Sequence, residues 1–314
     1  SFLGRYRLID FVLSNMSNSG ISNIFVHVKE NPHSVFEHVG TGRHYNINSK
    51  RGSLEVYNPD PSLISAAYNS DVHSFLLNSK DIEVSPEEYV CIAPSYFVYT
   101  TDFNALLDDH LASGADVSLL YRSIDDARET CVGCTTLQLE RSSFEGTDIR
   151  RVRQFSVNRG KYKSRNVSLE CYVMRKDLFL NLVHRADQTS SFYWLQDILS
   201  DLRDELFINA VALKPKIICI NSLQAYYHAH MLLTNYERSR EMFKADWPIY
   251  TRTSDSPPAR YTTEAKVRQS VIANGCLIMG TVENSVIGRN VVIEEGAVFD
   301  EDAARAAARA RLAE

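Results

Sequence analysis

The sequence lacks the features that mark membrane, nucleic-acid-binding and secreted proteins. No apolar run approaches the roughly eighteen residues that a membrane-spanning helix needs, and no basic segment followed by an apolar core stands at its start. Basic side chains do not exceed acidic ones: 34 Lys and Arg stand against 39 Asp and Glu, a net charge of −5. Such a balance offers no footprint for nucleic acid or a membrane surface. These absences predict a cytoplasmic globular protein with neither nucleic-acid nor membrane partners.

Cysteine is also scarce, with six residues scattered along 314. Most lie in apolar runs, where a thiol packs as a small hydrophobic group, and a cytosolic setting disfavours disulfides. Cys131 and Cys134 form a CxxC pair, which is compatible with a redox-active dithiol or with half of a zinc site. No second CxxC or paired His accompanies it, so the pattern favours a structural role.

Apolar residues are plentiful, at 44% of the chain, and their spacing predicts an α/β domain over residues 1–243. Residues 7–20 show helical spacing that ends at Gly20, and ISNIFVHV predicts a strand buried on both faces. The segment from Tyr89 predicts a parallel βαβ crossover, in which a helix connects two strands. Thr101 or Asp102 can cap this helix, and Gly114 ends it. Later strands and helices close with a long helix from Leu223 to about Phe243. The pattern is typical of a doubly wound, Rossmann-like domain.

The periodicity changes after a Pro-, Ser- and Thr-rich linker at 244–265. Over 266–300 paired apolar residues recur every six positions, with Ile272 and Ile278 in one series and Ile287, Ile293 and Phe299 in another. This spacing predicts the start of a hexapeptide β-helix, expected to be left-handed, with about two coils and therefore truncated. Residues 301–314 do not follow the six-residue pattern and consist mainly of Ala and Arg. We expect this Ala/Arg tail not to be family sequence.

The opening segment carries a long motif. GRYRLIDFVLSN, continuing to NSGI, resembles the GG[KR][YF]RxIDFxLSNxxNSGI segment of the glucose-1-phosphate adenylyltransferase family. HSVFEH, SLQAY and WPI match further family segments, so the resemblance extends over nearly all of residues 4–300. It implies a nucleotidyltransferase domain that joins ATP and glucose 1-phosphate into ADP-glucose with release of pyrophosphate. It also implies an N-terminal strand and a glycine-rich phosphate loop, which we expect to be missing before residue 1.

The residues at the family's metal-binding positions depart from the pattern. The family holds Mg²⁺ with an Asp in a GDH motif and with a second Asp just before the helix that begins GTLEAY. In this sequence Ser95 and Cys219 stand at those two positions. A hydroxyl and a thiol do not replace two carboxylates at a hard cation. We therefore expect no catalytic and no metal-binding residue in this chain, and Mg²⁺ only through a catalytic partner.

The resemblance leaves four substrate or effector candidates. Arg5 matches a family position where a basic side chain contacts a phosphorylated effector, with Arg7 close behind it. Ser95 stands in the degraded nucleotide motif. Arg153 replaces part of the family's E-K-P sugar-phosphate motif.

Two functions follow as hypotheses. The first is a regulatory subunit that pairs with a homologous catalytic subunit, as a heterotetramer or by self-association, and senses ATP, ADP-glucose or sugar phosphates. The alternative is an active sugar-1-phosphate nucleotidyltransferase that uses other acids, such as Asp102 or Asp197. A hexapeptide acyltransferase is disfavoured because no His follows His230.

Overall fold

A computed structural model describes residues 1–29, 32–47, 52–58, 70–144, 146–189 and 194–300, so the predicted tail at 301–314 lies outside the described residues. The helices are α1 (Leu8–Asn18), α2 (Pro32–Val39), α3 (Asp71–Leu77), α4 (Ser79–Val84), α5 (Phe103–Ser113), α6 (Lys176–Thr189), α7 (Leu195–Asp201), α8 (Leu223–Thr234) and α9 (Tyr236–Met242).

The longer strands precede residue 220: β1 (Ile24–His27), β2 (Leu54–Tyr57), β3 (Tyr89–Ile92), β4 (Phe97–Val98), β5 (Val117–Ile124), β6 (Thr135–Phe144), β7 (Thr147–Val157), β8 (Arg165–Arg175), β9 (Ile208–Ala212) and β10 (Ile218–Cys219). Shorter ones follow: β11 (Arg260–Tyr261), β12 (Lys266–Arg268), β13 (Val271–Ile272), β14 (Leu277–Ile278), β15 (Thr281–Glu283), β16 (Val286–Ile287), β17 (Val292–Ile293) and β18 (Val298–Asp300).

The chain divides into two compact units. The sheet unit contains residues 15–97 and 101–217, and the terminal unit contains residues 1–14, 98–100 and 218 onward. The predicted boundaries at 243 and 265 stay a prediction. In the part of the chain that the structure describes, none of the helices has the length and apolarity needed to cross a membrane.

The sheet unit is built on a six-stranded mixed sheet of order β3-β8-β5-β9-β7-β6. The predicted strand–helix–strand segment from Tyr89 is present as β3, α5 and β5, with Asp102 accepting a hydrogen bond from the backbone N–H of Asn104 and Gly114 ending α5 at φ +61°. β3 and β5 run parallel to each other but are not neighbours, because β8 lies between them and pairs antiparallel with both. The predicted parallel crossover is therefore confirmed, with one strand lying between its two strands. The hydrogen-bonded parallel pair in this sheet is β5 with β9.

The core of the sheet unit lies where α3, α6 and α7 cover this sheet. Fully buried side chains from the central strands, among them Val117, Leu119 and Met174, pack with Val183 and Leu199 of the helices. β1 is not part of this sheet, because it pairs only with β2, in parallel, among the described strands. Only Ile24 of β1 is buried, so the expectation of a strand buried on both faces is wrong. A two-stranded sheet has too little structure on either side to cover both faces.

The terminal unit contains two helices where one was predicted. The segment from Leu223 to Phe243 is broken at Asn235, whose backbone is extended (φ −72°, ψ 120°). Its side chain accepts a hydrogen bond of 3.2 Å from the backbone N–H of Arg238 and so caps α9. Asn competes for backbone groups in this way and favours caps over helix interiors, which explains the break.

Short parallel strands make up the rest of the terminal unit. They form three sheets of order β11-β14-β17, β12-β15-β18 and β13-β16. Partners are mostly fifteen residues apart, as in Ile278 with Ile293 and Ile272 with Ile287. The side chains of Ile278, Ile287 and Ile293 are buried together with Cys276 and Val282. Phe299 continues the six-residue spacing of the sequence but is 54% exposed, because β18 pairs on one side only among the described strands.

Candidate functional site

The first candidate site begins at a tight turn in the terminal unit. The backbone N–H of Phe2 bonds the carbonyl of Tyr6, which folds residues 2–6 back on themselves. Gly4 occupies this turn at φ +66°, and a Cβ there would lie 2.9 Å from the Cβ of Ala273 and 3.0 Å from the carbonyl oxygen of Ile287. Glycine alone fits both the conformation and this close approach. The turn is thus pressed against the short strands, and Arg5 projects at their edge.

Arg5 lines a cavity of about 380 Å³ that we call the basic pocket. Its described lining contains three arginines from distant segments, Arg5, Arg252 and Arg289, and no Asp or Glu. All three side chains are exposed. Ser and Thr hydroxyls, backbone and the Asn274 amide complete the polar wall. Guanidinium groups that line one cavity are suited to phosphate, which accepts their hydrogen bonds in pairs.

Arg289 is held in place at this pocket. Its guanidinium donates a hydrogen bond of 3.1 Å to the carbonyl oxygen of Arg5. The Arg5 guanidinium itself lies 5.6 Å from the centre of the Tyr6 ring. Arg7, the other basic candidate of this segment, is not among the lining residues. The backbone N–H of Arg7 donates to the carboxylate of Asp10, which fixes the first turn of α1.

The second candidate site is a group of three acids in the sheet unit, Asp71, Glu170 and Asp197, which we call the carboxyl cluster. Glu170 sits at φ +52° in β8, where the pairing with β5 shifts register between Leu119 and Tyr121. A left-handed, non-glycine residue at a bulge is strained, and such residues concentrate at functional sites. The hydroxyl of Thr135 lies 2.5 Å from Oε1 of Gln196 and 3.5 Å from a carboxylate oxygen of Glu170.

All three carboxyls of the cluster hold their protons more tightly than usual. Burial raises the pKa of Asp71 to about 6, against hydrogen bonds from the backbone N–H groups of Val72 and Leu195. Burial also raises the pKa of Glu170, and the nearby charge of Asp197 raises it further, although the Tyr96 hydroxyl donates to it. Burial likewise raises the pKa of Asp197. Like charges in a partly desolvated site disfavour simultaneous ionisation, so burial and mutual repulsion both favour the protonated acids in this cluster.

The structure places the remaining predicted residues separately. Ser95 is exposed in the turn between β3 and β4, and Cys219 ends β10, half-buried. Arg153 is the extra residue of a bulge in β7, opposite Gln138 and Leu139 of β6, and it forms an ion pair with Glu140. The predicted sugar-phosphate role of Arg153 stays a prediction. Asp102, an alternative acid, serves as the cap of α5.

Comparison with known proteins places these features in a family. The model of the nucleotidyl transferase family matches residues 1–205. The chain belongs to the nucleotidyl transferase family. The glycogen biosynthesis protein GlgD of Geobacillus stearothermophilus is 34% identical over 301 residues, 95% of this chain and 74% of that protein. Glucose-1-phosphate adenylyltransferases of Pseudothermotoga lettingae and Clostridioides difficile are both 27% identical over 301 residues, covering 95% and 94% of this chain and 69% and 76% of theirs. These findings confirm the resemblance drawn from the opening motif.

Nucleotidyl transfer requires a divalent cation on the phosphates, held by carboxylate oxygens. The residues at the two positions that the family motif assigns to this role do not fit Mg²⁺, because Ser95 offers a hydroxyl and Cys219 a thiol, neither of which brings the charge of a carboxylate. No chemical step is therefore assigned to a metal bound by this chain.

Several of the site residues could not be recognised as functional candidates from the sequence. Arg252 lies in the linker and Arg289 in the short strands, 37 positions apart, and only folding brings them beside Arg5. Asp71 is typical of an acidic residue in the first turn of a helix, and Glu170 lies in a strand whose neighbouring residues are mostly apolar. A charged residue inside an otherwise apolar strand is the one cue that points to Glu170, because buried carboxylates are rare unless they have a role.

Proposed function

We propose that this chain is a regulatory subunit of a glucose-1-phosphate adenylyltransferase and does not itself catalyse the reaction. The observation that carries this proposal is the pair of neutral side chains, Ser95 and Cys219, at the positions where the family motif places metal-binding aspartates. The similarity to a protein named for glycogen biosynthesis supports the assignment to that pathway and to the cytoplasm. Catalysis, with its Mg²⁺, falls to a homologous partner subunit in a mixed oligomer.

The basic pocket is the proposed effector site. Three guanidinium groups in a cavity of about 380 Å³ match the size and charge of a sugar phosphate or nucleotide phosphate. The pocket contains the Arg5 position that the sequence resemblance links to a phosphorylated effector. Because residues from the opening turn, the linker and the short strands all contribute, a phosphate bound there would tie these segments together within the terminal unit.

The short strands after residue 260 are proposed to begin a left-handed hexapeptide β-helix. Three parallel sheets with partners fifteen or seventeen residues apart support this, since one triangular coil of three hexapeptides has about that length. Such a stack gives the pocket a rigid wall.

Two measurements on the purified full-length protein test the function. Pyrophosphate release from ATP, Mg²⁺ and glucose 1-phosphate should be absent in the isolated chain and present when a catalytic homologue is added. The mixture should co-purify, and its response to added sugar phosphates should differ from that of the catalytic homologue alone. Turnover by the isolated chain near ordinary enzyme values, about 1–1000 per second, would contradict the regulatory role. If the chain neither co-purifies with the catalytic homologue nor changes its response to sugar phosphates, the proposed partnership is wrong.

A second function is favoured by the carboxyl cluster. Asp71, Glu170 and Asp197 provide hydrogen-bonding groups suited to sugar hydroxyls, which supports retained sugar-phosphate binding or an active sugar-1-phosphate nucleotidyltransferase. The same assay of the isolated chain separates the two functions. Mg²⁺-dependent turnover that disappears in Glu170→Gln would establish the second and remove the first.

A further inference from the structure

The CxxC segment of the sheet unit folds into a tight turn that brings two thiols together. The backbone N–H of Cys134 bonds the carbonyl oxygen of Cys131 at 3.1 Å, and Gly133 lies at φ +89°. These features define a β-turn with a glycine at its third position, where the left-handed conformation is readily adopted by glycine. The Sγ atoms of Cys131 and Cys134 lie within 4.8 Å of each other.

The backbone of this turn already meets the demands of a disulfide. The ends of a β-turn lie less than about 7 Å apart at their Cα atoms, and disulfides span Cα distances of about 4.4 to 6.8 Å. Rotation of the two side chains is therefore enough to close the remaining gap to a bond of about 2.05 Å.

Asn158 keeps the turn in this shape. Its side-chain amide donates to the carbonyl oxygens of Ala127 at 2.8 Å and Cys131 at 3.0 Å, and its side-chain oxygen accepts from the backbone of Gly160 at 3.1 Å. Its backbone exchanges hydrogen bonds with Gly133 and Cys134, each 2.8 Å long. Asn158 is 2% exposed, so its network holds the two thiols near each other whether or not they are bonded.

Access to the pair comes from the tip of the turn. Val132 and Gly133 are exposed, whereas Cys131 and Cys134 lie just beneath them, almost fully buried. Cys134 interacts electrostatically with the Glu170 carboxyl. We assign the first attack to Cys131 and the resolving attack to Cys134, and the reverse order gives the same disulfide.

We propose that Cys131 and Cys134 form a reversible disulfide when the protein meets a hydroperoxide, and that this bond changes the carboxyl cluster. The Cys131 thiolate attacks a peroxide oxygen, which breaks the O–O bond and leaves a sulfenic acid and, with one proton, water or an alcohol. The Cys134 thiol then attacks the sulfenic sulfur, the S–S bond forms, and water leaves. The two thiols lose two electrons and two protons in total, and the peroxide gains both.

The link to the carboxyl cluster runs through Thr135. It follows Cys134 directly, and its hydroxyl contacts Gln196 and Glu170. Rotation of the Cys134 side chain to form the disulfide changes the packing beside the Thr135 hydroxyl, which bridges these two groups, and removes the thiol that interacts with the Glu170 carboxyl. The oxidised protein therefore differs from the reduced protein at the cluster.

The test begins with the wild-type full chain, so it does not depend on a variant that folds. The protein is exposed to one equivalent of hydrogen peroxide, denatured in an alkylating agent, digested and analysed by mass spectrometry. We expect the peptide that contains Cys131 and Cys134 to be lighter by two hydrogens and unalkylated, and dithiothreitol to restore it. Cys134→Ser should instead accumulate a sulfenic acid at Cys131 that a dimedone probe traps. Cys91→Ser, a half-buried cysteine of the same unit, is the matched control and should oxidise like the wild type.

Three results would overturn the proposal. One is full alkylation of Cys131 and Cys134 after peroxide treatment while other cysteines oxidise. Another is zinc retained at one ion per chain and lost in Cys131→Ser, which would make the pair metal ligands. The third is unchanged amide hydrogen exchange in the peptides covering 135–138 and 195–199 after oxidation, which would leave the disulfide without effect on the cluster.

Discussion

Arg289 donates a hydrogen bond of 3.1 Å to the backbone carbonyl of Arg5, although the two residues are 284 positions apart. This contact fixes the opening turn of the chain to the segment that carries Arg289, and both residues line the basic pocket. A phosphate that binds there meets a preformed site. Preformed sites lose less affinity to the ordering of side chains than flexible ones do.

Replacement of Arg289 by Ala should weaken phosphate binding at the basic pocket. The change removes a guanidinium and frees the Arg5 carbonyl, and loss of one charged hydrogen bond costs about 1.5 to 3 kcal/mol, roughly a tenfold to hundredfold rise in Kd. Titration calorimetry with glucose 1-phosphate and with inorganic phosphate would measure it. Arg268→Ala is the matched control, since Arg268 is an exposed arginine of the same unit outside the pocket lining. Equal losses in both variants would point to general charge attraction.

Replacement of Gly4 by Ala should destabilise the terminal unit. The left-handed conformation costs an alanine about 1 to 2 kcal/mol, and the new methyl group would also lie 2.9 Å from the Cβ of Ala273. Gly20→Ala provides the comparison, because Gly20 has a similar φ of +77° but open space around it. Urea unfolding should show a larger loss of stability for Gly4→Ala than for Gly20→Ala. Similar losses would mean that the close approach of a Cβ at position 4 to Ala273 does not lower the stability.

Carboxylates introduced at Ser95 and Cys219 should raise activity if the proposed regulatory role rests on the neutral side chains at these positions. In the double variant Ser95→Asp, Cys219→Asp the charges needed by Mg²⁺ return, and Mg²⁺-dependent pyrophosphate release should increase at least about tenfold, a gain of roughly 1.4 kcal/mol in the barrier. The control is Ser95→Asn, Cys219→Ser, which changes the same positions without adding charge. A rise in both variants, or in neither, would contradict the account of Ser95 and Cys219 given above.

Asp71 should make stability depend on pH. Burial raises its pKa from 3.8 to about 6, so the folded chain favours the protonated acid. The stabilisation linked to that proton is complete below pH 3.8 and is lost as the pH rises through about 6. Asp71→Asn has no such proton to lose, and its stability relative to wild type should improve between pH 4 and pH 8 by up to about 3 kcal/mol. Urea unfolding at both pH values measures this, and a pH-independent difference would show that the Asp71 carboxyl titrates normally.

The local elements were largely predictable because short-range chemistry decides them. The helix from Phe103 begins at an Asp and ends at a Gly in the structure as in the sequence pattern, since a cap and a left-handed glycine act within a few residues. The break at Asn235 was missed because its apolar neighbours continue the helical spacing on both sides. The insertion of β8 between β3 and β5 was missed because strand order depends on pairing between segments far apart in the chain.

The sequence by itself determined the family, through a motif of contiguous residues. It also shows which side chains, Ser95 and Cys219, stand at the positions that the family motif assigns to metal binding, because residue identity does not depend on coordinates. The tertiary structure alone decided which charges meet. Arg5, Arg252 and Arg289 become one pocket, and Asp71, Glu170 and Asp197 one cluster of raised pKa, only after folding. The physical reason is that electrostatic interaction and desolvation depend on distance and burial in space, and spacing along the chain encodes neither.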